Sequence, residues 1–121
     1  MLMKNKLISD LKKNISASNV LDTLEERYAY AQDASNIRRI ENLPDAVVFV
    51  ENTEQVQKVV KLANKYKVPV ICRGAGTNVV GACAVEHGGI ILNFSKMNKI
   101  LSISKANMTV CVEPGVVLGD L

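Results

Sequence analysis

Leu7, Ile8, Leu11 and Ile15 recur at helical spacing with lysines between them, so the chain is expected to open on an amphipathic helix. A second helix is expected from Ser18 or Asn19, either of which can cap it, with Val20, Leu21 and Leu24 along one side. The pattern then dissolves into AQDASNIRRIEN (31–42), read as a polar, irregular connection. Pro44 forces an extended entry, and AVVFV (46–50) is a near-continuous apolar run of the kind that forms buried strands. The clearest helix follows. Thr53 is placed to cap it, Glu54 suits the positive end of its dipole, and Val56, Val59, Val60 and Ala63 fall at i, i+3, i+4 and i+7. Its end is expected near Lys65–Lys67, where cations suit the C-terminus.

VPVIC (68–72) reads as a second buried strand, which makes strand, helix and strand a βαβ unit with its two strands parallel. GIILNF (89–94) reads as a third strand. KILSISK (99–105) and MTVCVEP (108–114) alternate apolar and polar residues around a turn at Ala106-Asn107, the pattern of an antiparallel pair. The expected fold class is α+β: an α/β lobe with a small parallel βαβ sheet flanked by helices, followed by an antiparallel hairpin. Residues 1–42 form an N-terminal helical segment, and 43–121 form the sheet-bearing unit. There is no internal repeat. VEPGVVLGDL stops where a further element is due, so the chain is expected to be part of something longer.

Composition narrows the functional classes. With 121 residues, 48% hydrophobic and 22% charged, the chain has the make-up of one small globular domain. Three tyrosines, two phenylalanines and no tryptophan offer few platforms for stacking on single-stranded nucleic acid. The net charge of +3 is concentrated at Lys4, Lys6, Lys12 and Lys13, offset there only by Asp10. Such a block can touch an anionic surface, but one this short is more commonly a solvated helix face. Neither nucleic acid nor an integral membrane segment is therefore expected, and no apolar run has the length of a spanning helix. Cys72, Cys83 and Cys111 are odd in number and lack C-x-x-C spacing, which points to neither a disulfide framework nor zinc. With no secretory signal, a reducing, cytoplasmic location is expected. His87 sits beside Gly88 in an expected turn, where a lone histidine is more often incidental than catalytic.

The densest chemistry is RGAGTNVVG (73–81). Glycine loses the most backbone entropy on folding, so three in nine residues imply a tight bend or a close approach to the backbone. The Rossmann pattern G-x-G-x-x-G fits Gly74 and Gly76 but fails at Val79. The Walker pattern fits Gly76 and Gly81 but has Ala82 and Cys83 where lysine and Ser/Thr must stand. What remains is a loop whose successive N–H groups can form an anion-binding nest, or a glycine-rich turn with no ligand. Thr77 and Asn78 add a hydroxyl and an amide donor at its edge, and Arg73 either pairs with a phosphate or ties the loop to an acidic neighbour.

PVICRGAGTNVVGACAVEHGGIILNFSKMNKIL, preceded by PDAVVFVENTEQVQKVVKLANKYK and followed by VEPGVVLGDL, resembles the FAD-linked oxidases with a PCMH-type FAD-binding domain. Within them it looks most like the D subunit of glycolate oxidase and the D-lactate and D-2-hydroxyglutarate dehydrogenases. The resemblance runs from about Tyr30 to Leu121 and implies the N-terminal half of such a domain. It implies that Arg73, Gly74, Ala75, Gly76, Thr77, Asn78 and Gly81 wrap the FAD pyrophosphate, and that Pro114, Gly115 and Val116 lie against the flavin cofactor. Thr77 stands where some relatives carry a histidine covalently linked to FAD, so non-covalent binding is implied. Asn78 stands where many glycolate oxidase D subunits have glycine, and asparagine also tolerates a left-handed backbone. The implied partners of the whole protein are a small 2-hydroxyacid and an electron-acceptor protein, while no catalytic residue is implied within this chain. The alternatives are a stand-alone nucleotide- or anion-binding module and, more remotely, a basic nucleic-acid binder.

Overall fold

The structure, a computed structural model, describes residues 1–35 and 42–121. Helix α1 (Leu2–Asn14) leads through a short 3-10 turn (Ala17–Asn19) into strand β1 (Val20–Leu21) and helix α2 (Leu24–Tyr30). Strand β2 (Ala46–Phe49), helix α3 (Thr53–Tyr66), strand β3 (Val70–Arg73) and strand β4 (Ile90–Asn93) follow. Strands β5 (Ile100–Ser104) and β6 (Thr109–Val112) complete the chain before a 3-10 turn at Leu118–Asp120.

The main sheet has the order β1-β2-β4-β3. The expected parallel relation of β2 and β3 holds, but they are not neighbours, because β4 lies between them and pairs in parallel with both. All four residues of β4 are buried, as suits an interior strand paired on both sides. On one face, Ala46, Val48, Ile90 and Leu92 pack with Leu7 and Leu11 of α1 and Val59 and Ala63 of α3. On the other, Val47 and Ile91 pack with Val85, flanked by Tyr30, Phe49 and Ile71. An antiparallel hairpin of β5 and β6 stands as a separate two-stranded sheet, as its alternation predicts. Ile100, Leu101, Ile103 and Val110 remain exposed on it.

Two local expectations differ from the fold. No helix starts at Ser18 or Asn19: Val20 and Leu21 extend and pair antiparallel with Val48 and Val47 at the sheet edge. The helix starts after Thr23, whose hydroxyl accepts from Glu26 N while the Glu26 carboxylate accepts from Thr23 N. That reciprocal pair satisfies two otherwise orphaned donors. The cap of α3 is Asn52, not Thr53: its Oδ1 accepts from Gln55 N at 3.0 Å, leaving Thr53 as the first helical residue. At the other end Lys67 turns left-handed (φ 53°) and its N–H closes onto Ala63 and Asn64 carbonyls, close to the expected terminus. Half of the expected connection at 31–42, residues 36–41, lies outside the described residues.

The N-terminal helix is held by more than apolar contact. Asp10 Oδ2 accepts from the Tyr66 hydroxyl at 2.7 Å and from Lys65 Nζ at 3.0 Å, which clamps α1 to the last turn of α3. Lys4 Nζ reaches Asp45 Oδ1 at 2.8 Å, and Asp45 Oδ2 also accepts from Gly89 N. The helix thus touches both the far helix and the chain entering β2 and β4.

Candidate functional site

The three parallel strands β2, β4 and β3 end on one edge of the sheet, the edge outside which open α/β folds bind ligands. The chain leaving β3 there is the glycine loop. Gly76 has φ of 75°, and a Cβ on it would stand 2.2 Å from Arg73 Nη2, so glycine is required both for backbone and for space. Gly81 also has φ of 75°, and its carbonyl accepts from Ala84 N at 3.0 Å to close a turn.

Asn78 organises this turn from inside. Its Oδ1 accepts from Val80 N at 3.3 Å and Ala82 N at 3.1 Å, and its Nδ2 donates to the buried Cys83 Sγ at 3.2 Å. The expected free amide donor at the loop's edge is therefore engaged within the loop. The backbone N–H groups of Ala75, Gly76, Thr77 and Asn78, by contrast, donate to no other group among the described residues. Four successive open donors after a parallel strand are what an anion-binding nest requires.

Among the described residues, Arg73 does not meet the acidic neighbour expected as one of its two partners. Its side chain is buried, 9% exposed, and Nη1 donates to the carbonyls of Gln32 at 2.6 Å and Tyr30 at 3.3 Å. The guanidinium also lies 5.6 Å from the Tyr30 ring centroid, within cation–π range. Its partners are backbone carbonyls at the end of α2 and just beyond it, so it ties the loop to that segment without an acidic residue.

The second expected segment arrives from the hairpin. Gly115 N donates to Met97 O at 2.7 Å, and a Cβ on Gly115 would lie 2.0 Å from Phe94 O. Only glycine fits this close against the turn after β4. That turn is itself bound to β3, because Phe94 N donates to Arg73 O at 2.9 Å. One cavity of about 360 Å³ results, lined by Gly74, Ala75 and Thr77 from the glycine loop and by Pro114 through Gly119 from the other segment. Among the described residues, no ionisable side chain stands in this lining. Backbone dipoles of the loop are what these residues offer an anion there.

The structure thus brings Gly74, Ala75 and Thr77 together with Pro114, Gly115 and Val116, while Gly76, Asn78 and Gly81 shape the loop behind them. Sequence reasoning missed Val117, Leu118 and Gly119, which extend the same lining. It also missed Asp33. Its Oδ2 accepts from Cys83 N at 3.1 Å, and its Oδ1 accepts from the backbone N–H and the hydroxyl of Ser35. The Ser35 hydroxyl foremost, with the Ser35 and Cys83 N–H groups, holds its carboxyl below the usual carboxylate range. The D-x-S spacing signals a local turn, but nothing in sequence signals a contact fifty residues away. His87 is exposed, and among the described residues no group of three His, Cys, Asp or Glu could hold a metal. Among them, too, no helix is long and apolar enough to cross a membrane.

Comparison with known proteins places this architecture. The family described as "FAD binding domain" matches residues 44–121, from the entry to β2 through the second cavity segment. The chain is 35% identical over 103 residues to the glycolate oxidase subunit GlcD of Bacillus subtilis, covering 85% of this chain and 22% of that protein. It is 34% identical over 110 residues to the mitochondrial D-lactate dehydrogenase (cytochrome) of Arabidopsis thaliana, covering 91% of this chain and 19% of that one. Among solved structures, p-cresol methylhydroxylase with substrate bound superposes with a TM-score of 0.87 at 32% identity, covering 98% of this chain and 24% of that chain. The chain thus spans about a quarter or less of the length of these relatives. The match spans the parallel sheet, the glycine loop and the segment 114–119, and on these grounds the chain belongs to the FAD binding domain family.

Proposed function

We propose that this chain is the FAD-binding portion of a flavin-dependent 2-hydroxyacid oxidoreductase of the glycolate or D-lactate type. The observation that carries the reading is the run of open amides from Ala75 to Asn78 beside a cavity shared with Pro114, Gly115 and Val116. The FAD diphosphate is received by the loop 74–78, with Gly81 shaping its turn, and Pro114–Val116 lies against the cofactor. Arg73 braces the loop from behind through Nη1, which donates to two carbonyls, and Nη2 and Nε remain for a phosphate. The cofactor-binding unit starts at residue 43, with 1–42 as a helical segment before it.

Bound FAD would supply a two-electron acceptor for the carbon bearing the substrate hydroxyl. The complete protein would thereby oxidise a 2-hydroxyacid to the 2-oxoacid and pass the electrons to a partner redox protein. This chain's part is binding and orientation. Binding is non-covalent in this reading, supported by Thr77, which offers no side chain for a flavin linkage at the loop. Three free thiols, with Cys72 and Cys111 exposed, suit a reducing, cytoplasmic setting.

The test is direct. The complete protein, purified with FAD, should release all its flavin into the supernatant on acid precipitation. Anaerobic glycolate or D-lactate should bleach the flavin absorbance. Flavin remaining in the pellet would overturn non-covalent binding, and no bleaching by any 2-hydroxyacid would overturn the substrate class.

A further inference from the structure

The residues just beyond α2 meet the glycine loop at three places along its length. At the start, Arg73 Nη1 donates to the carbonyls of Tyr30 and Gln32. In the middle, Ala34 N donates to Gly76 O at 3.1 Å. At the end, Cys83 N donates to Asp33 Oδ2 at 3.1 Å. The last contact reaches furthest, because Cys83 Sγ accepts from Asn78 Nδ2, and Asn78 Oδ1 gathers Val80 N and Ala82 N. A carboxylate accepting from a backbone N–H makes a stronger bond than a neutral acceptor does. Asp33 thus anchors the cluster that ends the run of open amides, and it is not itself among the residues lining the cavity.

We propose that Asp33 is a positioning residue for the cofactor diphosphate, holding the amides of Ala75–Asn78 in their receiving arrangement before the cofactor arrives. The proposal rests on the FAD reading above. It differs from that reading in locating affinity outside the cavity, on a segment preceding the family's matched region. Preorganisation of this kind raises affinity by removing the cost of ordering the loop on binding. An asparagine at this position lacks the charge and keeps one acceptor oxygen where Asp33 uses two, so it cannot serve both the Ser35 and the Cys83 donors, and the anchor weakens with little change in shape.

The experiment compares the complete wild-type protein with D33N and D33E. Amide exchange of residues 74–84 is measured without FAD, and FAD affinity and melting temperature alongside. In D33N, loop exchange rises and FAD affinity falls about 10-fold or more, the size expected for losing a charged hydrogen bond. Exchange in β2 and β4 stays at the wild-type level. D33E, which keeps a carboxylate acceptor, recovers part of both losses. Unchanged FAD binding in D33N would overturn the proposal. So would a loss of sheet protection in step with the loop, since Asp33 would then be a general stabiliser. Failure of the wild type to bind FAD would instead refute the FAD reading itself.

Discussion

The Arg73 guanidinium occupies the space where a side chain on Gly76 would begin, with Nη2 2.2 Å from the Cβ position. One residue supplies the brace and the other supplies the absence that the brace needs. Gly76→Ala must therefore expel the guanidinium from its carbonyl partners and also hold alanine at φ of 75°. The backbone alone costs about 1 kcal/mol or more. Thermal unfolding should show that loss, and FAD binding should fall by more than stability explains, because the open amides follow Gly76.

Gly74 separates binding from folding. Nothing lies within 4 Å of a Cβ there, yet the residue lines the cavity. Gly74→Ala is expected to melt within about 0.5 kcal/mol of wild type, as uncrowded surface changes do. Its FAD affinity should drop, since the new methyl group enters the cavity. Equal FAD affinity in a calorimetric titration would remove Gly74 from the site.

Gly115 should behave in the opposite way. Its Cβ would lie 2.0 Å from Phe94 O, a rigid backbone atom, so Gly115→Ala must displace the Pro114–Val116 segment. Amide exchange should report loosening at 94–97 and 113–119 while α1 and α3 remain protected.

Leu11 tests the helical segment. It is fully buried against the sheet, in one cluster with Val48, Val59 and Leu92. Leu11→Ala should cost roughly 2–5 kcal/mol by denaturant titration, the range for deleting a core leucine. A cost near zero would mean that α1 does not share the core of the cofactor unit.

The Asp10 clamp fixes a pH window. Hydrogen bonds from Tyr66 and then Lys65 lower the Asp10 pKa, so its contribution is present above the unfolded value of about 3.9 and lost as pH falls through the folded one. The bond to Asp10 raises the pKa of Lys65 and of Tyr66, so their contributions are present below about pH 10 and lost as pH rises through the raised values. Stability measured against pH should therefore form a plateau between these limits. Asp10→Asn should flatten the acid limb in particular.

Much of this architecture was legible because periodicity is local. β2, α3, β4 and the hairpin follow from runs such as AVVFV, the Val56–Val59–Val60–Ala63 stripe and the alternation around Ala106-Asn107. The order of strands was not legible in the same way. A βαβ reading sets β2 and β3 parallel, but the insertion of β4 between them depends on tertiary competition for the most buried place. Val20 and Leu21 were misplaced on a helix because two residues are too few to show a period, although T-x-x-E at Thr23–Glu26 marked the true start. In the site, the glycine spacing identified the loop, and the resemblance identified the P-G-V segment. Which donors stay open could not be read from types alone. Asn78 and Arg73 look like ligand contacts in sequence, and the fold turns both toward the chain itself.

The most direct test of the account is a titration of the complete protein with FAD, followed by flavin absorbance and calorimetry. The account predicts one FAD per chain, held without a covalent bond, and a clear weakening in Gly74→Ala with the fold intact. A colourless protein that takes up no FAD under these conditions would contradict it.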